Sequence, residues 1–250
     1  MRYEERVLAF FDVLGFEKAV ENTIKKTDGN EIEVLHEIQK IESLLNEVHL
    51  HLNYLGWLSG EPKIKGRVVS QFSDSIVISY LKDSYIHHIL HDIYFLSVMA
   101  LEKGFLFRGA IICGKVIHTD KIIFGPAFNK AYEMEQHLAV YPRIILEDTI
   151  LKLAETNYLG CSNPNAEYES LKTILLTDFD GLHFINYIDK LETGVDCGLD
   201  RKLEHYGYIE KIMNDMEKIK KSSVRSKYLW LKEKYDFRLD IFNSNYRNNH

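Results

Sequence analysis

Two aspartates lie in otherwise apolar segments, and their positions could support metal chemistry. Asp12 interrupts the run AFFDVLGF, and Asp74 interrupts QFSDSIVI. An ionised carboxylate without a partner is costly to bury, and two carboxylates held close together repel each other unless a cation lies between them. A site with few oxygen ligands suits Mg²⁺ or Mn²⁺, because water and phosphate groups can complete the coordination.

A simpler interpretation of the same two residues is equally open at this point. Aspartate is common in turns, so Asp74 could serve only to form a turn. Asp12 could serve only to cap a helix that begins near Gly15. The choice between these interpretations depends on whether the fold brings the two side chains together.

The hydrophobic pattern predicts the elements that carry the aspartates. Residues 6–16 predict a buried strand that contains Asp12. The segments GRVVSQF and SIVISY are separated only by Ser73 and Asp74, so they predict a β-hairpin with Asp74 at its tip. Helices are predicted at 16–28, 31–55 and 83–103, and from Pro126 onward. Further extended segments are predicted at 105–113, 115–118, 121–124 and 143–148.

This order of elements, β-α-α-β-β-α-β-β-α-β, is that of an α+β protein with a ferredoxin-like plan. In that plan the first strand is central and lies beside the strands of the hairpin. We therefore expect Asp12 and Asp74 to meet at one edge of a mainly antiparallel sheet.

The chain is predicted to divide near residue 157. Residues 158–170 are polar and rich in asparagine, which is typical of a boundary. We therefore expect a first domain at 1–157, which carries both aspartates, and a C-terminal extension at 158–250. The extension is predicted to contain a hairpin in TILLTDFDGLHFINYI and helices at 199–221 and 224–241, packed on the first domain.

Composition and charge exclude several classes of protein. The 250 residues carry a net charge of −6 and include three widely spaced cysteines, so a disulfide framework is not expected and the cytoplasm is the expected location. No apolar run approaches the roughly 18 residues of a membrane span. Residues 201–250 hold 12 basic and 7 acidic residues, which leaves an acidic body that does not suit a long nucleic acid. The basic segment is typical of solvated helix faces, although it could contact phosphate.

The motifs resemble those of the class III nucleotidyl cyclases, the adenylyl and guanylyl cyclase family, in a diverged form. The matching segments are FFDVLGF, FSDSIVI, FRGAIICGKV, FGPAFNKAYEMEQ and RIILED, and they occur in the family's order over residues 6–150. The resemblance implies a ferredoxin-like nucleotidyl cyclase fold. It also implies a lyase that converts a ribonucleoside triphosphate into a 3′,5′-cyclic nucleotide and pyrophosphate, with Mg²⁺ or Mn²⁺ as cofactor.

The resemblance also assigns roles to residues. Asp12 and Asp74 would bind the metal ions through their carboxylates, and Val13 would bind through its carbonyl oxygen. Asn129 would orient the ribose across the interface of a homodimer. The turn formed by Leu14, Gly15 and Phe16 would hold the phosphates.

Three positions depart from the family pattern. Glu133 stands where the family has an arginine that stabilises the transition state, and Ser70 and Ile122 stand where it has its purine-reading residues. A substitute cation is therefore needed, and Arg143 is the expected one, ahead of Arg108, Lys115 and Lys130. A site without the purine readers resembles the cyclases of bacterial antiphage systems that make cyclic UMP or cyclic CMP. The alternative is a cyclase-fold protein that binds or senses a nucleotide without turning it over.

Overall fold

The computed structural model describes residues 2–24, 31–54, 66–156, 169, 171–189, 199–214, 219 and 221–248. Its strands are β1 (Glu4–Val13), β2 (Val68–Phe72), β3 (Ser75–Leu81), β4 (Phe107–His118), β5 (Ile123–Phe124), β6 (Ile144–Leu146), β7 (Leu175–Thr177) and β8 (His183–Ile185). The described helices are α1 (Phe16–Ile24), α2 (Glu31–Tyr54), α3 (Ile86–Glu102), α4 (Pro126–His137), α5 (Asp148–Thr156), α6 (Leu199–Asn214) and α7 (Ser222–Asn248).

The strands form one sheet in the order β2-β3-β1-β4-β6-β8-β7, with β5 paired to β4. Strand β1 is antiparallel to both β3 and β4, and β2 is antiparallel to β3. The order β2-β3-β1-β4, with helices in the two crossovers, is the ferredoxin-like plan. The predicted α+β fold class is thus confirmed, and β1 is central as expected.

The alternation of side chains along β1 separates two apolar layers. Val7, Ala9, Phe11 and Val13 face the larger layer, which also includes residues of α2 and α3. Leu8 and Phe10 face a smaller layer that α4 covers. Asp12 continues the second set, so its carboxylate lies on the α4 face.

Strand β4 differs from its prediction as two separate strands, because it runs unbroken through Gly114. Gly114 does not have a positive φ, so it does not turn the chain. A Cβ atom there would meet Ala127 Cβ of α4 at 3.4 Å. The glycine therefore lets α4 pack closely on the strand.

The C-terminal segment extends the same sheet, because β8 pairs with β6 and β7 pairs with β8. The predicted hairpin of this segment is present. Helix α5, for which the sequence analysis gave no prediction, follows β6 directly. The predicted boundary at residues 157/158 lies outside the described residues, so the division into two domains stays a prediction. Within the described residues, no helix is long and apolar enough to span a membrane.

A chain of buried hydrogen bonds on the α4 face connects Arg6, Ser79, His118 and Ser70. Arg6 Nε donates to Ser79 Oγ at 2.9 Å, and Ser79 Oγ lies 2.8 Å from His118 Nδ1. Since Ser79 Oγ accepts from Arg6, its own proton is available to His118 Nδ1, and His118 Nε2 can then donate to Ser70 Oγ at 2.9 Å. Burial, together with the positive charge of Arg6, lowers the pKa of His118 to about 4.

The protein should therefore lose stability in mild acid. The unfolded chain protonates His118 near its ordinary pKa of 6.5, whereas the folded protein resists protonation until the pH reaches about 4. The free energy of unfolding should fall across this window by on the order of 3 kcal/mol from this group alone. Burial lowers the pKa of His91 to about 3, which adds a loss in the same direction.

Urea unfolding at several pH values, on the wild type and on His118→Asn, measures this effect. The variant should be less stable at pH 7 but should show a shallower decline below pH 6.5. His137→Asn, at an exposed histidine of α4, is the matched control and should keep the wild-type slope. Equal slopes for wild type and His118→Asn would contradict the assignment.

Candidate functional site

The structure brings Asp12 and Asp74 to the same edge of the sheet. The backbone N–H of Val13 donates to the carbonyl oxygen of Asp74 at 3.3 Å, which joins the end of β1 to the hairpin tip. Burial raises the pKa of the Asp74 carboxyl, and the negative charge of Asp12 raises it further. The two carboxylates therefore interact, as the ferredoxin-like plan predicted.

The hairpin turn holds Asp74 at a cost in backbone energy. Strand β2 ends at Phe72 and β3 begins at Ser75, so the turn is the predicted two-residue loop. Ser73 has φ of 55°, a conformation that residues other than glycine rarely adopt. Strain of this kind is concentrated at functional positions, and it supports a role for Asp74 beyond turn formation.

Arg108 is the cation that already contacts Asp12. It stands opposite Asp12 in the β1–β4 register, and its Nη2 lies 3.1 Å from Asp12 Oδ2. The same nitrogen makes an ion pair with Glu135 Oε1 that lacks hydrogen-bond geometry. Burial raises the pKa of the Glu135 carboxyl, and the charge of Asp12 adds to this effect. A lysine at position 108 could not reproduce this shared contact, because the planar guanidinium of arginine faces two acids at once.

Glu135 is a functional candidate that the sequence analysis missed. Together with Ala127 and Ala131 it forms the buried face of α4, at steps of four residues. An acid that continues a stripe of buried alanines is a signal that the sequence does contain. Glu133, the acid of this helix that the family resemblance singles out, is exposed instead.

Asn129 and Glu133 lie one helical turn apart on the exposed side of α4. They therefore project away from the packed face that meets Asp12 of the same chain. This placement is compatible with a site shared between two chains, in which Asn129 serves the partner.

The turn between β1 and α1 contains a glycine in the left-handed backbone region. Gly15 has φ of 79°, and Ala19 N–H donates to its carbonyl oxygen at 3.1 Å. The side chains of Leu14 and Phe16 pack against the core. The Leu14 N–H already donates to the carbonyl oxygen of Leu106 at 2.8 Å, so any backbone contact with phosphate would come from Gly15 or Phe16.

Arg143, the expected substitute cation, occupies a different environment. Its guanidinium makes ion pairs with Asp178 and Asp180, lies over the ring of Tyr141, and is 1% exposed. A buried guanidinium held by two carboxylates is not available to a nucleotide. The expectation that Arg143 replaces the family's arginine is therefore wrong. The physical reason is that β6, which begins directly after Arg143, is an internal strand, and the acids that pair with Arg143 come from the turn between β7 and β8.

The described donor atoms fit a divalent cation only in part. Asp12 and Asp74 offer two carboxylates, and Val13 offers a backbone carbonyl, since its side chain is buried on the other face. Among the described residues, no group of three or more His, Cys, Asp or Glu side chains is arranged to hold a metal ion. An ion here would need water and phosphate oxygens as its remaining ligands, which is a common arrangement for Mg²⁺.

Comparison with known proteins gives similarity at the level of structure only. The sequence matches no family model and no curated protein. The monomeric guanylyl cyclase domain of the RhoGC fusion protein from the aquatic fungus Blastocladiella emersonii is similar over 74% of this chain and 96% of its own, with 13% identity and a TM-score of 0.46.

Two other solved structures are similar to a comparable degree. The catalytic core of a rhodopsin-guanylyl cyclase with converted specificity, in complex with ATPαS, covers 74% of this chain and 97% of its own, at 12% identity and a TM-score of 0.43. A class III adenylyl cyclase-like ATP-binding protein from Pseudomonas aeruginosa covers 68% of this chain and 40% of its own, at 12% identity and a TM-score of 0.42. These values are too low to transfer function to this chain.

Proposed function

We propose that this protein is a metal-dependent nucleotidyl cyclase that converts a ribonucleoside triphosphate into a 3′,5′-cyclic nucleotide and pyrophosphate. The observation that carries the proposal is the pairing of Asp12 with Asp74 at one edge of a ferredoxin-like sheet, beside a strained turn. We further propose that the activity is cytoplasmic and serves bacterial signalling or phage defence. The proposed role follows from Ser70 and Ile122, which stand at the positions of the family's purine-reading residues.

Each residue of the site has a specific task in this proposal. Asp12 and Asp74 hold Mg²⁺ or Mn²⁺, which when bound neutralises phosphate charge and makes the 3′-hydroxyl more acidic. The backbone turn at Gly15 binds the phosphates. Arg108 holds Asp12 in position, because its guanidinium contacts that carboxylate directly.

The direct test is incubation of the purified protein with each of the four ribonucleoside triphosphates and Mn²⁺. Release of pyrophosphate together with one cyclic nucleotide is the expected result, and it identifies the base. If no cyclic product forms from any of the four, the enzyme proposal is wrong.

The proposed enzyme is a homodimer in which Asn129 of one chain serves the metal site of the other. We expect Asp74→Asn and Asn129→Ala to be inactive as separate proteins but active when mixed. A mixed dimer would then carry one site with both substitutions and one intact site.

Mixing the two variants after mild dissociation and measuring turnover tests this arrangement. The mixture should recover up to about a quarter of wild-type activity, because half of the dimers are mixed and each has one of two sites. Asn46→Ala, on α2, is the control, and this variant should keep the activity of the wild type. No recovery in a mixture shown to exchange subunits would place Asn129 in its own chain's site.

A second candidate function is binding of a nucleotide without turnover. Glu133 is exposed on the face of α4 that carries Asn129, so it presents a negative charge where a cation is expected. Binding of a nucleoside triphosphate with no cyclic product from any of the four would favour this alternative.

A further inference from the structure

Two histidines near the start of α3 bring their ring nitrogens together. His87 and His91 are one helical turn apart, so both side chains lie on the same face of the helix. The Nε2 atom of His87 lies 3.1 Å from the Nε2 atom of His91, and the two ring centroids are 4.2 Å apart. The two nitrogens therefore meet at one position, where a single proton lies between them as a hydrogen bond.

The distance between these nitrogens is that of two ligands on one metal ion. An imidazole nitrogen binds Zn²⁺ at about 2.0–2.1 Å, so two such nitrogens in neighbouring coordination positions lie about 3.0–3.4 Å apart. The observed 3.1 Å falls in this range. A metal ion can therefore replace the hydrogen bond after a small rotation of the rings. The proton between the nitrogens moves to Nδ1 of its own ring, so both rings stay neutral.

Neighbouring tyrosines orient both imidazoles. The ring of Tyr85 stacks on His87 with the centroids 5.5 Å apart and an angle of 21° between the planes. The ring of Tyr94 meets His91 edge-on at 6.4 Å. His91 is 4% exposed, whereas His87 is half-buried and keeps one side of the pair in contact with solvent. Rings that are already held in position lose little further entropy when they bind a ligand.

His91 is in the protonation state that binds metal. Burial lowers the pKa of His91 to about 3, and the nearby charges of His87 and His88 lower it further, while Asp92 acts in the opposite direction. A histidine must be neutral to bind a metal ion. At neutral pH, loss of a proton from an imidazolium is therefore not part of the cost of binding at His91.

The histidine pair lies far from the Asp12–Asp74 edge. Strand β3 begins beside Asp74 and ends at Leu81, and α3 then begins at Ile86. A strand of 7 residues spans roughly 20 Å. Helix α3 also packs on the larger apolar layer, whereas Asp12 faces α4. Any metal held by the histidines would therefore be separate from the metal of the proposed cyclase site.

We propose that His87 and His91 form a binding site for a divalent transition metal such as Zn²⁺, held through their two Nε2 atoms. No third His, Cys, Asp or Glu joins them within the part of the chain that the structure describes, so water fills the remaining positions. Imidazole ligands favour Zn²⁺, Ni²⁺ and Cu²⁺, whereas Mg²⁺ and Mn²⁺ prefer oxygen. The site thus takes a different class of metal from the Asp12–Asp74 edge, and it does not depend on the proposed function.

The test is a Zn²⁺ titration of the wild type, His87→Gln and His88→Gln. Glutamine keeps a polar side chain but removes the ring nitrogen that would bind the metal. His88 is the matched control, because it is the next residue of the same helix and its ring meets the edge of Tyr85 instead of His91. Millimolar Mg²⁺ in every sample competes for the carboxylates of the Asp12–Asp74 edge.

Titration calorimetry should show a Zn²⁺ site in the wild type and in His88→Gln. His87→Gln should bind at least about tenfold more weakly, since even the outer partners of metal ligands change affinity by about 10–100-fold. The midpoint of urea unfolding should rise with Zn²⁺ concentration in the wild type and in His88→Gln, but not in His87→Gln.

A measurement on the wild type alone makes the test independent of how the variants fold. In nitrogen-15 spectra of the histidine rings, Zn²⁺ should shift the Nε2 signals of His87 and His91 before those of the other histidines. Equal Zn²⁺ affinity in the wild type and His87→Gln would overturn the proposal, as would an equal loss in His88→Gln. If millimolar Zn²⁺ leaves both Nε2 signals unchanged, the pair is only a hydrogen bond. The cyclase proposal stands in each of these cases, because it depends on the opposite end of β3.

Discussion

Asp74→Asn is expected to abolish cyclic nucleotide formation while leaving the protein as stable as the wild type, or slightly more stable. Removing one of the two carboxylates proposed to hold the metal should lower turnover by at least about a thousandfold, because a metal ion contributes several kcal/mol to transition-state stabilisation. Burial and the charge of Asp12 raise the pKa of Asp74, so the folded protein disfavours its ionised form. A neutral amide of similar shape relieves that penalty.

Turnover and urea unfolding, measured on the same preparation, decide this prediction. Asp83→Asn is the matched control, since Asp83 is exposed in the turn at the opposite end of β3. It should change neither quantity. If Asp74→Asn loses enough stability to account for its loss of activity, Asp74 serves only to form the turn.

Arg143→Ala is expected to have the largest effect on stability. The substitution leaves the fully buried Asp178 and its neighbour Asp180 without their shared cation. Removing one partner of a buried ion pair typically costs roughly 3–5 kcal/mol. The Arg143 pair also lowers the pKa of Asp180, chiefly through its hydrogen bond, so part of this stability should disappear in acid as Asp180 is protonated.

Chemical unfolding of Arg143→Ala and of the double variant Arg143→Met/Asp178→Asn measures the effect. The double variant should be less destabilised than the sum of Arg143→Met and Asp178→Asn measured separately, because each single change leaves one charge of the buried pair without the other. The folded fraction of Arg143→Ala should retain the specific activity of the wild type. A stable but inactive Arg143→Ala would restore the original expectation that Arg143 acts on the substrate.

The sequence predicted those parts of the fold that depend on local pattern. A continuous apolar run predicted β1, and two apolar segments separated by Ser73 and Asp74 predicted the hairpin. The order of elements predicted that Asp12 and Asp74 share one edge. Proline at the start of α4 marked where that helix begins. These features succeeded because hydrophobic periodicity and turn chemistry act over only a few residues.

The sequence could not reveal which charged groups are buried together. Arg143 at a strand start is equally compatible with an active-site cation and with a buried ion pair. The choice was decided by Asp178, whose position beside Arg143 follows only from the pairing of β6 with β8.

The ion cluster around Asp178 has a consequence for the order in which the protein folds during synthesis. Helix α7 follows every strand of the sheet in the chain, so the sheet is synthesised before Trp230 and Lys234 exist to cover Asp178. Ribosomes add roughly 5–20 residues per second. For a few seconds the nascent protein therefore holds Asp178 with part of its partners missing, until α7 docks and covers it.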